Sequence, residues 1–199
     1  MGPSPDPVEG LCNDVTPDEL HELADAARRA IGPDDPHSLR YSEAAADVIA
    51  GRPARYPRAT NWIMALHAYE KFTSDHGRWP RENTRARHTL GSAERHLGEW
   101  ARFQRRFEDR LNTYQWGRLD VSPAFEWDPH ATIWSTRLAA CRDHQRLTGQ
   151  LPRLNGADPT EFALARWLGR QLLSLQKGRL DAAKAQQITR LLSWPHGQG

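Results

Sequence analysis

The chain has 199 residues, of which 26% are charged and 38% apolar, a balance that is typical of soluble globular proteins with one domain or two small ones. No apolar run is long enough to span a membrane, and the first ten residues lack the basic and apolar segments of a secretory signal. The two distant cysteines, Cys12 and Cys141, give no disulfide framework, so we expect a bacterial cytoplasmic protein.

The net charge of +2 conceals an asymmetry along the chain. Residues 1–50 contain 11 acidic and 3 basic residues, a net charge of −8, whereas residues 51–199 contain 14 acidic and 24 basic residues, a net charge of +10. An acidic head on a basic body indicates a polyanion partner for the body. The alternative is a solvated surface whose two halves balance each other, and charge alone favours neither.

The N-terminal quarter predicts a tail followed by two helices. Residues 1–15 are rich in glycine and proline and are predicted to be disordered. Thr16 is suited to an N-cap, with a proline after it and Glu19 as the return arm of a capping box. Apolar residues then recur at helical spacing, namely Leu20, Leu23, Ala24, Ala27 and Ile31, before Gly32 and Pro33 end the helix. A second helix is predicted for 38–50, which completes an acidic helical region over 16–57.

A proline-rich basic linker, 51–60, leads to three further predicted helices. They cover 58–76, 92–107 and 112–119, and a Gly-x-x-Pro turn and an arginine-rich loop separate the first two. The first carries one stripe of Trp62, Leu66, Tyr69 and Phe72, and the second carries a face of Leu97, Trp100, Gln104 and Phe107. Two-residue alternation is absent over any useful length, so the predicted class is all-α.

The second half of the chain repeats the first. "DHGRWP" at 75–80 is matched by "LTGQLP" at 147–152, and Trp62 and Leu66 also find Trp134 and Leu138 at the offset of 72. After five extra loop residues in the first copy, "LGEW" at 97–100 aligns with "LARW" at 164–167. Leu111 then aligns with Leu180, and Trp127 aligns with Trp194. We therefore predict two tandem three-helix repeats, 58–129 and 130–195.

Six of the eight tryptophans form matched pairs, which we assign to the cores because a small unit gains much buried area from each large ring. Trp79 aligns with Leu151 and is predicted to be partly buried. Trp116 aligns with Ala185, so it is not an obligatory core residue and is available to a base or a partner.

These motifs resemble the bacterial helicase-associated domain, a short all-helical repeat often found in several copies after helicase motors. The resemblance rests on a Trp, a Gly-x-x-Pro turn, an L-G-x-W-x-x-x-Q/R helix, a G-x-L step and a closing Trp, and it covers about residues 60–195. It implies a nucleic-acid-binding helical module. No G-x-x-x-x-G-K-[ST] motif occurs, so no helicase motor is predicted. Leu172-Leu173 replace Arg105-Arg106 in the second copy, so the copies need not bind equally.

Candidate DNA-binding residues are clustered by element. Helical spacing places Arg95, Arg102 and Arg106 on one face of the helix 92–107, with Arg105 at its edge. Such a stripe suits phosphate oxygens or a guanine edge, and the alternative is a solvated face that pairs with Glu94, Glu99 and Asp109. The other candidates are Arg52, Arg55 and Arg58 as an arm along a groove, and Arg81, Arg85 and Arg87 as loop contacts to phosphates.

The third helix of each repeat would read bases if the units dock like a helix-turn-helix. This interpretation assigns Thr113, Gln115 and Arg118 in the first copy, and Lys184, Gln187 and Arg190 in the second. Arg166, Arg170, Lys177 and Arg179 complete the basic set of the second copy. Amide and basic side chains suit base edges, but they are also ordinary surface residues.

The predicted function is that of a nucleoid-associated, double-stranded DNA-binding protein, either a transcriptional regulator or an accessory factor for DNA transactions. The alternative is an adaptor that docks on a polymerase or helicase, or forms a homodimer, through the apolar stripe of the acidic head. A third possibility is that this stripe simply packs on the first repeat. A separate hypothesis is autoinhibition, in which the acidic head masks the basic body. No enzyme, cofactor or metal site is predicted, since Cys141 and His144 lack partner ligands at zinc spacing and no nucleophile elbow occurs.

Overall fold

The computed structural model describes residues 15–32, 35–82 and 87–193. Within these ranges the chain is helical, with eight α-helices, two short 3-10 helices and no strand, which confirms the all-α class. The α-helices are α1 (Pro17–Ile31), α2 (Pro36–Ile49), α3 (Pro57–His76), α4 (Ser92–Arg106), α5 (Thr113–Asp120), α6 (Pro129–Thr148), α7 (Pro159–Gln176) and α8 (Ala182–Leu192). The predicted tail up to residue 14, with Cys12, lies outside the described residues, as do Pro33, Arg85 and Trp194.

Capping side chains define the helix starts. The predicted capping box of α1 is confirmed, since the Thr16 amide donates to Glu19 Oε2 at 2.7 Å and the Glu19 amide donates to Thr16 Oγ1 at 3.3 Å. A second capping box, of Asn112 with Gln115, begins α5. These side chains satisfy amides that the first turn of a helix leaves without partners. The helix boundaries predicted above agree with the structure to within two residues.

The two longest helices end in the same way. Helices α3 and α6 each have 20 residues and begin with proline. They end at Gly77 and Gly149, whose φ angles of 61° and 71° lie in the left-handed region. Glycine is favoured there because it has no Cβ to clash with the backbone. Both predicted Gly-x-x-Pro turns therefore start from a helix C-cap, 72 residues apart.

The helices form two compact units. The N-terminal unit contains α1–α5 and ends at Trp127, and the C-terminal unit begins at Asp128 and contains α6–α8. In the N-terminal unit α1 packs on α5, and α2 packs on both α3 and α5. Helix α1 crosses α5 at Gly117, where a Cβ would lie 3.9 Å from the Ala24 carbonyl oxygen, an ordinary van der Waals distance. Residues of α1 and α2 therefore share one apolar core with α3, α4 and α5.

The buried face of α1 differs from the predicted stripe. Leu20, Ala24 and Arg28 are buried, whereas Leu23 is 55% exposed and Ile31 is 72% exposed. The Arg28 guanidinium donates to Asp25 Oδ1 at 2.7 Å. Its hydrocarbon stem can therefore be buried while its charge stays paired. Arg28 thus takes a buried position on α1, while the large apolar side chains of Leu23 and Ile31 remain in solvent.

Each unit has its own apolar core. Trp62 in the N-terminal unit and Trp167 in the C-terminal unit are buried, as predicted. Three more of the matched tryptophans, Trp100, Trp127 and Trp134, are partly buried against the same cores, and so is Trp79. Cys141, predicted to be a core residue, is fully buried, and this burial raises its pKa to about 11.

Candidate nucleic-acid interface

The predicted arginine stripe of α4 lines a groove in the N-terminal unit. Arg95, Arg102 and Arg106 are brought together there with Arg81, which comes from the turn after α3. We call this surface the α4 groove; its volume is about 400 Å³, and its other lining residues are Glu82, Leu90, Gly98, Glu99, Phe103 and Phe107. Four arginines from two segments of the chain therefore share one concave surface.

Gly98 and Glu94 bring the turn after α3 onto α4. A Cβ on Gly98 would lie only 2.6 Å from the Arg81 carbonyl oxygen, so the turn can cross α4 at this point because Gly98 has no side chain. The Glu94 carboxylate then holds the turn, since it accepts hydrogen bonds from the Arg81 amide at 3.0 Å, the Arg81 side chain at 2.9 Å and the Arg78 side chain at 2.7 Å. The sequence motifs did not single out this anchor.

The anchor is ionic at all ordinary pH values. The hydrogen bond from the Arg81 side chain holds the pKa of Glu94 well below its usual range, and the bonds from Arg78 and the Arg81 amide add to this effect against the opposing effect of burial. Glu94, one of the three acids that the solvated-face alternative names, is therefore not a free surface acid that neutralises the arginine stripe. Its charge is used within the turn.

Three arginines of the α4 groove keep their charge available. Arg95, Arg102 and Arg106 form no ion pair with any carboxylate of the described residues, and Arg102 and Arg106 are exposed. Arg105 differs, because its guanidinium is mostly buried, pairs with Glu82 and donates to the Glu126 carbonyl oxygen at 2.9 Å. The structure therefore distinguishes Arg95, Arg102 and Arg106, whose charges are available, from Arg105, whose charge is used within the fold.

Aromatic rings lie beside these cations. Phe103 is 58% exposed, and its ring centroid lies 4.6 Å from that of Phe107. The guanidinium groups of Arg106 and Arg110 lie over the Phe107 ring at 5.4 and 4.6 Å. An exposed ring within a cationic groove offers a face for stacking. Sequence reasoning missed Phe103 and Arg110, although Phe103 is the one aromatic residue at the exposed edge of the arginine stripe.

Helix α5, which was predicted to read bases, is a core helix in this fold. Arg118 is almost fully buried, and its two terminal nitrogens donate to Glu70 at 2.7 and 3.0 Å. Gln115 is buried in its capping box, and Thr113 is half-buried. Because α1 and α2 cover this helix, Gln115 and Arg118 are not accessible to a DNA groove, and the prediction that they contact bases is at odds with this placement. Thr113 is only half-buried, so its base contact stays a prediction.

The linker arginines also have structural partners. Arg52 pairs with Asp47 at 2.9 Å, and Arg55 pairs with Asp47 at 2.7 Å and with Glu43 at 3.5 Å. Arg58 is exposed and forms no ion pair with the described residues. The contacts of α2 thus hold two of the three residues that were predicted to form a free arm. The described acids of α1 and α2 make no ion pair with an α4 arginine, so masking of the basic body stays a prediction.

The predicted residues of the C-terminal unit lie at the surface. Arg166, Arg170, Lys177, Arg179 and Arg190 are exposed and form no ion pair with the described residues. Lys184 pairs with Asp181 at 3.2 Å and lies 5.5 Å from the Trp134 ring centroid. Gln187 accepts a hydrogen bond from Trp134 Nε1 at 2.8 Å. Arg87 lies in the 3-10 helix Arg87–Thr89, and its side chain is outside the described set.

The anchor of the α4 groove has a counterpart in the C-terminal unit. The Arg153 amide donates to Glu161 at 3.0 Å, the same bond that the Arg81 amide makes to Glu94. Arg153 follows Arg81 by 72 residues and Glu161 follows Glu94 by 67, which are the two offsets of the sequence repeat. Glu161 also accepts from Asn155 Nδ2 at 2.9 Å, so a different side chain completes this second anchor.

Comparison of the chain with protein-family models, curated proteins and solved structures finds no match. The resemblance to helicase-associated repeats therefore stays a prediction from the motifs quoted above. Among the helices of the described ranges, none combines the length and the apolarity that crossing a membrane requires.

Proposed function

We propose that this protein binds double-stranded DNA through the α4 groove and acts as a transcriptional regulator or as an accessory factor for DNA transactions. The observation that carries the proposal is the group of Arg95, Arg102 and Arg106, which share one groove and pair with no carboxylate of the described residues. Arginines that replace counterions at phosphates supply most of the sequence-independent affinity for DNA.

The arginines of the groove differ in exposure, so we assign them different contacts with DNA. Arg102 and Arg106 are exposed and free to pair with phosphate oxygens, which would set the position of the protein on the duplex. Arg95 lies two turns before Arg102 and is half-buried, so its guanidinium has fewer orientations to lose on binding. A bidentate contact from such a residue to a guanine edge is the commonest form of specific readout.

We also propose that the chain consists of two three-helix repeats, α3–α5 and α6–α8. Three features support this: the equal lengths and C-caps of α3 and α6, the paired anchors at Glu94 and Glu161, and the N-cap side chains Asn112 and Asp181, which lie 69 residues apart. The positions that match Arg95, Arg102 and Arg106 at the offset of 67 are Phe162, Gly169 and Leu173. The cationic groove therefore belongs to the first repeat alone.

In the second repeat, α8 takes the place of α5, and unlike α5 it keeps its candidate DNA-binding side chains at the surface. Arg190 is exposed on it, and Gln187 and Lys184 are half-buried at the edge beside Trp134. We therefore expect α8 to extend the contact begun by the α4 groove, with a smaller contribution to affinity, since Lys184 already pairs with Asp181.

The test is the double variant Arg102→Glu/Arg106→Glu, measured by fluorescence anisotropy with a labelled duplex over a range of salt concentrations. We expect affinity to fall by well over about tenfold and the slope against log salt to decrease by about two, one for each phosphate that the variant no longer neutralises. The matched control is Arg40→Glu/Lys71→Glu, which makes the same charge change at exposed positions of the same unit outside the groove. Equal losses of affinity in both variants would mean that net charge, and not the α4 groove, determines binding.

A further inference from the structure

Phe103 presents an exposed ring to the α4 groove. Of the described phenylalanine, tyrosine and tryptophan side chains it is the most exposed, at 58%. Helical spacing places it between the arginine stripe and the core side of α4, and it does not pack on the apolar core of the N-terminal unit. Burial in the core therefore does not explain a large apolar side chain at this position.

Neighbouring groups leave the Phe103 ring open. The Phe107 ring lies 4.6 Å away, but its plane is inclined by 53°, so the two rings are not stacked face to face. The guanidinium groups of Arg106 and Arg110 lie over Phe107, and no cation of the described residues lies over Phe103. The Phe103 ring is therefore available to a planar group from outside the chain.

Two available cations line the same groove as this ring. Arg102 and Arg106 are exposed, and because they are four residues apart on α4 their Cβ atoms lie about 5–6 Å from each other. The two acids that line the groove do not neutralise them, since Glu82 pairs with Arg105 and Glu99 is engaged in a contact of its own. The groove thus suits a ligand that combines a planar group with negative charge.

A fully paired duplex offers no planar face to this ring. Its bases are stacked on one another, so the DNA grooves present only base edges, and a phenylalanine ring has neither a donor nor an acceptor for the polar groups there. A base displaced from the duplex exposes a face that an aromatic side chain can stack on. The nucleotide that carries it has a phosphate on either side, which suits the two arginines.

We infer that the α4 groove selects DNA with an unpaired base, which stacks on Phe103 while Arg102 and Arg106 bind the flanking phosphates, an inference that rests on the DNA binding proposed above. Unpaired bases are found where strands are opened or damaged, so this selectivity favours the accessory-factor form of the proposed function. The positions that match these three residues at the offset of 67 are Arg170, Gly169 and Leu173. The combination of a ring with two cations therefore belongs to the first repeat.

The experiment is fluorescence anisotropy at one fixed salt concentration with three labelled duplexes of the same sequence. One is fully paired, one carries an extra unpaired base in one strand, and one carries an abasic residue in place of that base. The abasic duplex keeps the irregular backbone without the base. We expect the native chain to bind the unpaired base at least about fivefold more tightly than the abasic residue, the lower end of what stacking on an aromatic side chain contributes.

Substitutions of Phe103 test whether its ring is responsible. Phe103→Ala should bind the unpaired-base and abasic duplexes equally, while its affinity for the paired duplex and the salt dependence of that affinity stay native. Phe103→Tyr keeps an aromatic ring and should keep the preference. The matched control is Met64→Ala on α3, since Met64 is 57% exposed and lies outside the groove. Circular dichroism checks that each variant is folded.

The outcomes separate the selectivity of the groove from DNA binding itself. If the native chain binds the unpaired-base and abasic duplexes equally, yet binds the paired duplex in a manner that Arg102→Glu/Arg106→Glu abolishes, the selectivity is wrong and the proposed function stands. A preference that survives Phe103→Ala also overturns the role of the ring, and so does an equal loss for all three duplexes, which indicates a contact with a thymine methyl group or a sugar. A native chain that binds none of the duplexes would overturn the proposed function together with the selectivity.

Discussion

Gly98→Ala should destabilise the protein, although alanine is the better helix former. A Cβ at this position would lie 2.6 Å from the Arg81 carbonyl oxygen and 3.1 Å from its carbonyl carbon. Ordinary contacts begin at roughly 3.5 Å, so the turn has to retreat by about 0.9 Å. The turn resists this because the Arg81 amide and side chain are bound to Glu94. Overpacking costs about 1–3 kcal/mol and the gain in helix propensity is about 1 kcal/mol, so we expect a net loss of up to about 2 kcal/mol.

Gly169→Ala is the matched control for this prediction. Gly169 also lies within a helix, but no atom would lie within 4 Å of a Cβ placed on it. This substitution should therefore stabilise the chain by up to about 1 kcal/mol. The measurement is urea unfolding, together with hydrogen exchange of the Arg81 amide, which should lose protection in Gly98→Ala only. If Gly98→Ala stabilised the chain as Gly169→Ala does, the close approach of the turn to α4 would be wrong.

Two further predictions concern the buried charges of the N-terminal unit. Glu94→Gln should reduce the free energy of unfolding by about 2 kcal/mol, because Arg78 and Arg81 lose a charged acceptor. Since the folded-state pKa of Glu94 is lowered, the stabilisation by its carboxylate is complete above the ordinary carboxylate pKa of about 4.3. The difference in stability between the native chain and the variant should therefore shrink as the pH falls below that value. Arg118→Met should cost about 3 kcal/mol or more, because Glu70 keeps a charge without its main partner. Its DNA affinity, measured well below its melting temperature, should stay native, and a selective loss of affinity would instead support base contact by α5.

Local signals in the sequence were sufficient for the helices and for the α4 stripe. N-cap side chains, prolines and glycines act within one turn of a helix, so their positions can be read without knowledge of the tertiary structure. The spacing of Arg95, Arg102 and Arg106 places them on one side of any α-helix. That Arg81 joins them depends on a turn folding back over Gly98, a contact that spacing along one helix cannot predict.

The role of α5 was not predictable from its residues alone. "TYQWGRLD" is mainly polar, and a polar helix usually lies at the surface. It lies in the core because Glu70 satisfies Arg118, Asn112 satisfies Gln115, and α1 and α2 cover the helix. A buried polar residue requires a specific distant partner.

The differences between the two proposed repeats follow from which surfaces are covered. In the N-terminal unit α1 and α2 cover α5, and the residues beneath them include Tyr114 and the Arg118–Glu70 pair. The corresponding positions, 69 and 72 residues later, are Ala183, Gln187 and Arg142. They line an open surface between α6 and α8, because the C-terminal unit has no described helix in the place of α1 and α2.

A large aromatic residue and a buried ion pair at those positions would be costly without a cover, since the ring would be exposed and the pair would gain little in water. The replacement of Tyr114 by alanine and of Glu70 by arginine is therefore what a solvent-facing copy requires. A second difference concerns α4 and α7. At the positions where α4 carries Arg95 and Arg106, α7 carries the apolar residues Phe162 and Leu173. The two proposed repeats therefore differ on both sides of the shared helices: α4 carries a cationic groove where α7 carries Phe162 and Leu173.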